Sequence, residues 1–477
     1  MLKIYNSYSD KIEEFSPIEE NSVKMYVCGP TVYDKPHLGH ARCYTTWDVL
    51  YRYLKFLGYD VKYCRNVTDV DDKILARSEK EGITPDDVAK KYYDIFTESM
   101  KKLNILKPDI EPFATKTLGE MIAIVKNLIE KGFAYESDGD VYFRVKKFPK
   151  YGNLSKQPID DLVAGARVEA STKKEDVLDF ALWKKDEKHG YKSPWGIGRP
   201  GWHIECSAMA RKHLSKSIDI HAGGADLLFP HHENEIAQSE CANDCQFAKY
   251  WLHNGFVTIN KEKMSKSLGN FLTIDDILKN YNANTIRLFI LTNHYRMPVE
   301  FSDEALSSAQ AGAKRLQNAV NNVLPFVGQE NINTNYDEQA IEEFKSAMND
   351  DLNTSKALAV LFELANIANK AKDTLDKETA QKAISTLIKL SETLGFDFSN
   401  IEIDENTLFE KISPVISEFD FLIGIEEPKT IIEKILTVRN QARAEKNWEI
   451  ADLIRNTLAK VGVGLKDTKE GTSWEIK

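Results

Sequence analysis

Apolar positions in the first part of the chain run in two rhythms. Residues 23–28 (VKMYVC) are a short, nearly continuous apolar run and predict a strand. After the loop GPTVYDKP, from about His37 to Leu57, Cys43, Trp47, Leu50, Leu54 and Leu57 recur at three- and four-residue steps. That spacing is the one-sided stripe of a helix. Gly58 ends it, and YDVKYCRNV supplies a second strand. A strand–helix–strand unit opens a parallel sheet. Cys43 falls on the apolar stripe and Cys64 within a strand, so both are read as structural.

Residues 113–200 break this rhythm with short helices, a strand pattern (VYFRV) and loops, and are read as an insertion into the sheet domain. The Gly/Pro-rich SPWGIGRPGW is expected to be a turn, followed by a helix, the strand SIDIHAGG and a helix from about Pro230. From Ser302, an expected N-cap with Asp303 and Glu304 in the first turn, the pattern turns helical. Leu306, Ala309, Ala313, Leu316, Val320 and Val323 mark its buried face, and residues 338–394 form a second helical run without Gly or Pro. Residues 429–477 predict a helix pair and a turn-rich end.

Charge refines this division. The 477 residues carry a net charge of −10, but residues 330–428 alone hold −13 and residues 429–477 hold +3. A polyanion would meet the tail and local patches, and hardly the acidic block. No stretch reaches the roughly 18 apolar residues of a membrane span, and MLKIYNSYSDKIEEF has no apolar core of a signal peptide. A cytoplasmic protein is expected. Six cysteines without a CxxC pair do not form a disulfide scaffold.

Four motifs carry candidate chemistry. Gly196-Ile-Gly198-Arg-Pro-Gly201 fits GxGxxG, yet it follows Ser-Pro-Trp instead of a strand and contains Pro200, which argues against a dinucleotide fingerprint. His37-Leu38-Gly39-His40 stands where a loop meets a helix, so its free N–H groups and dipole suit phosphate. Two surface histidines are the plainer reading of that motif alone. Lys263-Met-Ser-Lys266-Ser267 puts two ammonium groups in a loop that can close over a triphosphate, where they would meet charge developing in a transition state. Finally, His231 and Glu235 are four apart on one helix side, and Cys206 and Cys28 could complete a zinc set of mixed donors. Cys241 and Cys245 offer a competing pair, with Cys241 about 120° around the helix from Glu235. Spacing cannot join Cys28 to Cys206.

Together, HLGH and KMSKS resemble the paired signatures of class I aminoacyl-tRNA synthetases. MYVCGPTVYDKPHLGHAR, RNVTDVDDKI, GRPGWHIECSAMA, DIHAGGADLLFPHHENEIAQSE, DDLNTSKAL and AEKNWEIADLIRNTLAKVGV resemble the cysteinyl-tRNA synthetase family within that class. Leu38 stands where many class I members have isoleucine. The resemblance implies an α/β protein: a Rossmann-like parallel-sheet catalytic domain (1–300) with an inserted connective domain at about 113–200. A stem-contact and helical-bundle region (301–400) follows, then a linker and C-terminal anticodon-binding domain (401–477). It implies ATP-dependent activation of L-cysteine and transfer to the 3′ end of tRNA(Cys) by a monomer, with Mg2+ accompanying ATP. His37, His40, Lys263 and Lys266 would be catalytic. His37, Gly39, His40, Asp226 and Lys266 would bind ATP, and Thr31, Thr68 and Trp202 would line the cysteine pocket. One Zn2+ would be held by Cys28, Cys206, His231 and Glu235. Arg443, Trp448, Asp452 and Asp467 would read tRNA by stacking and base-edge hydrogen bonds. A cysteine ligase of thiol biosynthesis shares this core and is the alternative; the presence of residues 429–477 weighs against it.

Overall fold

The computed structural model describes residues 1–157, 173–259, 262–263, 272–332, 334–398, 428–460, 463–468 and 471–476. A hairpin of β1 (Lys3–Asn6) and β2 (Lys11–Glu14) precedes the expected unit of β3 (Ser22–Val27), α1 (Leu38–Phe56) and β4 (Asp60–Arg65). The strands β3 and β4 pair in parallel, Val27 opposite Arg65. Two helices follow, α2 (Asp72–Glu81) and α3 (Pro85–Lys102), each opened by a side-chain cap, Asp71 and Thr84.

The insertion is α4 (Leu118–Glu130) and an antiparallel sheet of β5 (Ala134–Ser137), β6 (Asp140–Phe143), β7 (Phe180–Lys185), β8 (Tyr191–Ser193) and β9 (Gly196–Pro200), in the order β5-β6-β7-β9-β8. The expected turn SPWGIGRPGW is therefore largely strand. Its glycines serve close packing: a Cβ on Gly198 would lie 2.4 Å from the Lys184 carbonyl oxygen, and one on Gly201 would lie 2.0 Å from that of Ala181.

The chain then returns to the parallel sheet through α5 (Trp202–His213), β10 (Ile218–Gly224), α6 (Glu233–Asn243) and β11 (Ala248–Asn254). The strand order β11-β10-β3-β4 sets β10 against β3. The chain passes from β3 to one side and from β10 to the other, so a crevice opens beyond their carboxyl ends. The helix expected from Pro230 begins at Glu233. A wide turn over Leu228–His232 precedes it, with Phe229 in extended conformation before Pro230, where a proline disfavours helix.

Beyond β11 lie β12 (Val257–Ile259), β13 (Glu262–Lys263), α7 (Ile274–Leu278), α8 (Ala283–Leu291) and β14 (Val299–Phe301). The three strands form a small sheet in the order β13-β12-β14. Helix α9 (Asp303–Val327) starts as expected, the Ser302 hydroxyl accepting from the Ala305 N–H at 3.2 Å, and its stripe Leu306 to Val323 is buried. The run 338–394 is three helices: α10 (Glu338–Asn349), α11 (Thr354–Asp373) and α12 (Lys377–Thr393). Their breaks use no Gly or Pro. Instead Asp351, Leu352 and Leu375 take positive φ, and Asn353 and Asp376 cap the following helices. Contacts divide the chain into two units, residues 1–323 with 330–397 and residues 324–329 with 398–477. The described part of the second contains α13 (Pro428–Ala444), α14 (Trp448–Lys460) and an antiparallel hairpin of β15 (Val463–Thr468) and β16 (Gly471–Ile476) where turns were expected. Among the described residues, no helix is long and apolar enough to cross a membrane.

One buried ion pair ties α1 to the helical bundle within the first unit. Asp48 on α1 accepts from Arg287 on α8, and the guanidinium also reaches the carbonyls of Leu103 (2.9 Å) and Leu394 (3.1 Å). Replacing Asp48 by Ala leaves a buried cation without its carboxylate and is expected to destabilise this unit by about 3–5 kcal/mol. Urea unfolding checks it; a midpoint equal to that of the parent would show that the pair does not hold the helices.

Candidate active site and metal centre

The crevice between β3 and β10 holds a cavity of about 300 Å³, lined by residues that follow three of the four parallel strands. Cys28 to Thr31 come after β3, Gly224 to Leu227 end and follow β10, and Asn254 to Val257 end and follow β11. A fourth wall is the first turn of α1, with His37, Gly39 and His40. Gly29 is required at this junction, since a Cβ there would lie 1.5 Å from the Asn66 carbonyl oxygen.

His37 is the N-cap of α1, one position outside the helix, where the loop meets it. Its Nδ1 accepts from the Gly39 N–H at 3.1 Å, and His40 Nδ1 accepts from the His37 N–H at 3.1 Å. With Nδ1 accepting, each neutral ring carries its proton on Nε2. The first turn therefore sets two imidazole rings at the positive end of the helix dipole, an arrangement that favours an anion. Its backbone N–H groups are already bonded, that of Leu38 to the Leu272 carbonyl and those of His40 and Ala41 to the His37 carbonyl. Asp226 also lines this cavity. Cys43, expected in the core, lines it too; burial and then Asp226 push its thiol up to about 12.

Deeper in the crevice, Cys28, Cys206, His231 and Glu235 converge, with ligand atoms all within 4.8 Å of one another. Cys28 Sγ stands 3.7 Å from Cys206 Sγ and 3.6 Å from Glu235 Oε1, and His231 Nε2 stands 3.6 Å from Cys206 Sγ and 3.1 Å from Glu235 Oε1. All four are buried. Two sulfurs, an imidazole nitrogen and a carboxylate oxygen at this spacing suit a tetrahedral metal of borderline softness. The competing pair is elsewhere: Cys245 lies 3.6 Å from the Ser217 hydroxyl, and Cys241 is not part of the cluster.

A layer of histidines surrounds these donors. His203 Nδ1 is 2.9 Å from His231 Nδ1, and burial holds His203 down to about 3, so the neutral ring can accept from His231. That contact leaves His231 Nε2 for a metal. His221 Nε2 lies 2.8 Å from Glu235 Oε2, and His232 Nε2 lies 3.3 Å from Cys28 Sγ. Cys28, His221, His232 and Glu235 thus form a second candidate set sharing two members with the first. The sequence reading missed His203, His221 and His232. A histidine two positions beyond Asp219 in the strand SIDIHAGG was the available signal for His221.

Electrostatics prepare the donors unequally. Burial and then Cys206 raise the Cys28 thiol well above its usual range. Burial opposes ionisation of Cys206 as well, but the Cys28 hydrogen bond and His231 bring it to about 6. Burial would lower His231, yet Glu235 and Cys206 raise it to about 10. Burial would raise Glu235, but His221 and His231 hold it at about 2.

Beside the cluster, Thr68 is buried and donates to Glu205 Oε2 at 2.6 Å, and Thr31 forms a bridge with Thr68. Trp202 is 40% exposed, its ring stacked on His231 at 4.1 Å between centroids. Thr31, Lys73 and Trp202 are shared with a second cavity of about 760 Å³, which Lys174 and Lys184 also line. Lys263 lies on β13, while Lys266 lies outside the described residues. In the second unit, Arg443 is near the end of α13, and Trp448, 57% exposed, begins α14 one turn before Asp452. Asp467 is on β15.

Residues 14–311 match the family model described as tRNA synthetases class I (C) catalytic domain, and residues 343–399 match that of the DALR domain. The chain belongs to the cysteine–tRNA ligase family. A relative of that name from Thermodesulfovibrio yellowstonii is 46% identical, covering 100% of both chains. Another from Francisella philomiragia is 47% identical, covering 99% of each. The solved methionyl-tRNA synthetase of Mycobacterium tuberculosis, in complex with methionyl-adenylate, superimposes with a TM-score of 0.57 at 16% identity. It covers 87% of this chain and 94% of that one, a likeness of fold.

In a member of this ligase family with such a donor set, metal loading is linked to protons. At pH 7 Cys28 is a thiol and His231 an imidazolium, while Cys206 and Glu235 are already largely ionised. Loading is expected to release about two protons per site, so affinity rises with pH through neutrality. Titrating metal-free protein with zinc chloride in weak buffer measures this; release of none would show that the donors are already deprotonated.

Proposed function

We infer that this chain is an ATP-dependent cysteine–tRNA ligase whose buried Cys28, Cys206, His231 and Glu235 hold a Zn2+ ion that reads the substrate side chain. The observation that carries this reading is the joining of those four donors, from two distant parts of the chain, beside a cavity walled by His37 and His40. The family match over the whole length supports it. The alternative, a cysteine ligase of thiol biosynthesis, has no support among the relatives reported above.

In the first step a carboxylate oxygen of L-cysteine attacks the α-phosphorus of Mg2+-bound ATP. The bond to the bridging oxygen breaks, and pyrophosphate leaves with the electron pair. His37 and His40 donate Nε2–H bonds to the phosphates, while Lys263 and Lys266 offset the charge growing on the leaving group. Asp226 holds the adenosine, and Thr31, Thr68 and Trp202 enclose the amino acid. In the second step the terminal ribose hydroxyl of tRNA(Cys) attacks the acyl carbon and AMP leaves. The cavity lined by Lys73, Lys174 and Lys184 suits the phosphates of the arriving single strand. Arg443, Trp448, Asp452 and Asp467 read the anticodon. The cytoplasmic monomer expected from the sequence belongs to this reading.

Zinc, when bound, would take the substrate as a thiolate, a ligand that the hydroxyl of serine does not match. Shape alone separates such near-isosteres by roughly 1–3 kcal/mol.

Charging of unfractionated tRNA with labelled cysteine tests the assignment, with serine as the control and one arm lacking ATP. ATP-dependent transfer of cysteine is expected; cysteine-dependent pyrophosphate exchange without transfer would favour the thiol ligase. Metal-stripped protein is expected to lose its preference for cysteine over serine, and an undiminished preference would remove the selective role from the ion. Trp448→Ala is expected to weaken charging while exchange continues. Equal loss of both activities would instead indicate a defect of folding.

A further inference from the structure

Arg42 lies on α1, two residues beyond His40, and is 1% exposed. Among the described residues its guanidinium has no ion-pair partner; five backbone carbonyls surround it. Nε donates to Gly255 at 3.2 Å and Nη1 to Ile290 at 3.3 Å. Nη2 faces the carbonyls of His294 (3.3 Å), Tyr295 (3.0 Å) and Met297 (2.6 Å). Burial lowers its pKa only to about 10, so the cation persists at neutral pH. A buried charge held by dipoles alone fixes the position of those dipoles, because each unmade bond leaves it less solvated.

The five carbonyls are not scattered. Gly255 leads into β12 and Met297 into β14, the two strands that pair in parallel with Val257 opposite Val299. Strand β12 in turn pairs with β13, placing Thr258 opposite Lys263. Arg42 therefore sits at the root of the small sheet from which the lysine segment departs. The lead-ins are also pressed together, the Gly255 N–H donating to the Tyr295 carbonyl at 2.8 Å. The downstream end of the same segment returns to α1 as well. The Leu38 N–H donates to the Leu272 carbonyl at 3.1 Å, and the Ile274 N–H to the Pro36 carbonyl at 3.0 Å.

We propose that Arg42 is a positioning residue for the activation step, rooting the sheet that carries Lys263 to the helix that carries His37 and His40. Both phosphate-binding arms are thereby referred to one rigid element. The inference rests on the functional reading above, in which the lysines act on the leaving pyrophosphate. Lysine cannot replace this arginine, since one ammonium has three donors and lacks the planar fork that spans two strands.

The test compares two steps in the holoenzyme. Arg42→Lys is expected to slow ATP–pyrophosphate exchange at saturating ATP and cysteine by about 10- to 100-fold, the effect of a displacement near 1 Å. Transfer to tRNA from cysteinyl-adenylate formed beforehand is expected to fall far less, because the leaving pyrophosphate is already gone. Loss of both steps in proportion to the folded fraction, or of neither, would overturn the proposal and leave Arg42 a stabilising residue only. If Arg42→Lys does not fold, Gly255→Ala takes its place. Its Cβ would lie 2.5 Å from the Met297 carbonyl oxygen and shift the same root with Arg42 intact. Lys266→Ala is measured in parallel. Loss of exchange in Lys266→Ala with normal exchange in Arg42→Lys would overturn the role of Arg42 alone. Normal exchange in Lys266→Ala would overturn the reading of the lysine segment, and the positioning role with it.

Discussion

The pairing of β3 with β10 is the contact on which the rest of the site depends. These strands are nearly two hundred residues apart in sequence, yet Tyr26 lies opposite His221 and the Cys28 N–H donates to the Ala222 carbonyl at 3.2 Å. Parallel strands need a crossover between them, and here the crossover has grown to include α1, β4, the inserted sheet and α5. Each piece then reaches the same crevice from a different direction. Cys28 leaves β3, Cys206 comes from α5, and His231 and Glu235 come from the turn and helix after β10. A slip in the β3–β10 register would separate the donors even if every local element still formed.

Charge is managed at this centre by distribution, with no single strong pair. His231 and Glu235 attract each other, but each also has a second partner, His203 and His221. Burial would neutralise most of these groups singly; as a network they keep the Cys206 thiolate and the Glu235 carboxylate ready beside a protonated His231, which the neutral His203 backs. The same economy appears at Arg42 and Arg287, two buried cations that backbone carbonyls largely satisfy. These carbonyls lie at helix ends and in strand lead-ins, where even one that already accepts a backbone N–H, as Tyr295 does from Gly255, keeps a lone pair for the arginine.

The sequence revealed most of the elements because their signals are local. The stripe from Cys43 to Leu57 is α1 within a residue, and Ser302 caps α9 as its position beside two acids predicts. What local pattern could not reveal were close approaches between distant segments. GIGRP looks like a turn because it is rich in Gly and Pro, yet Gly198 is small so that β9 can lie against β7. The run from 338 to 394 looks like continuous helix because Asp351, Leu352 and Leu375, and not glycines, take the positive φ angles at its breaks. The metal donors were joined across the sequence only by resemblance. Spacing predicted the His231–Glu235 pair for a regular helix, whereas His231 sits in a turn before the helix.

That displacement has a consequence for how the centre is built. Were residues 230–235 one regular helix, His231 and His232 would point about 100° apart, and only one could face the crevice. The wide turn before α6 lets both approach: His231 Nε2 comes within 3.6 Å of Cys206 Sγ, and His232 Nε2 within 3.3 Å of Cys28 Sγ. The two thiols are thus each provided with an imidazole. Only Cys206 ionises readily, since His231 can hold a proton beside Glu235, whereas burial and then His221 keep His232 neutral. The turn before α6 thus brings both imidazoles in, and what stands behind them, Glu235 in one case and buried histidines in the other, makes two chemically similar cysteines unequal.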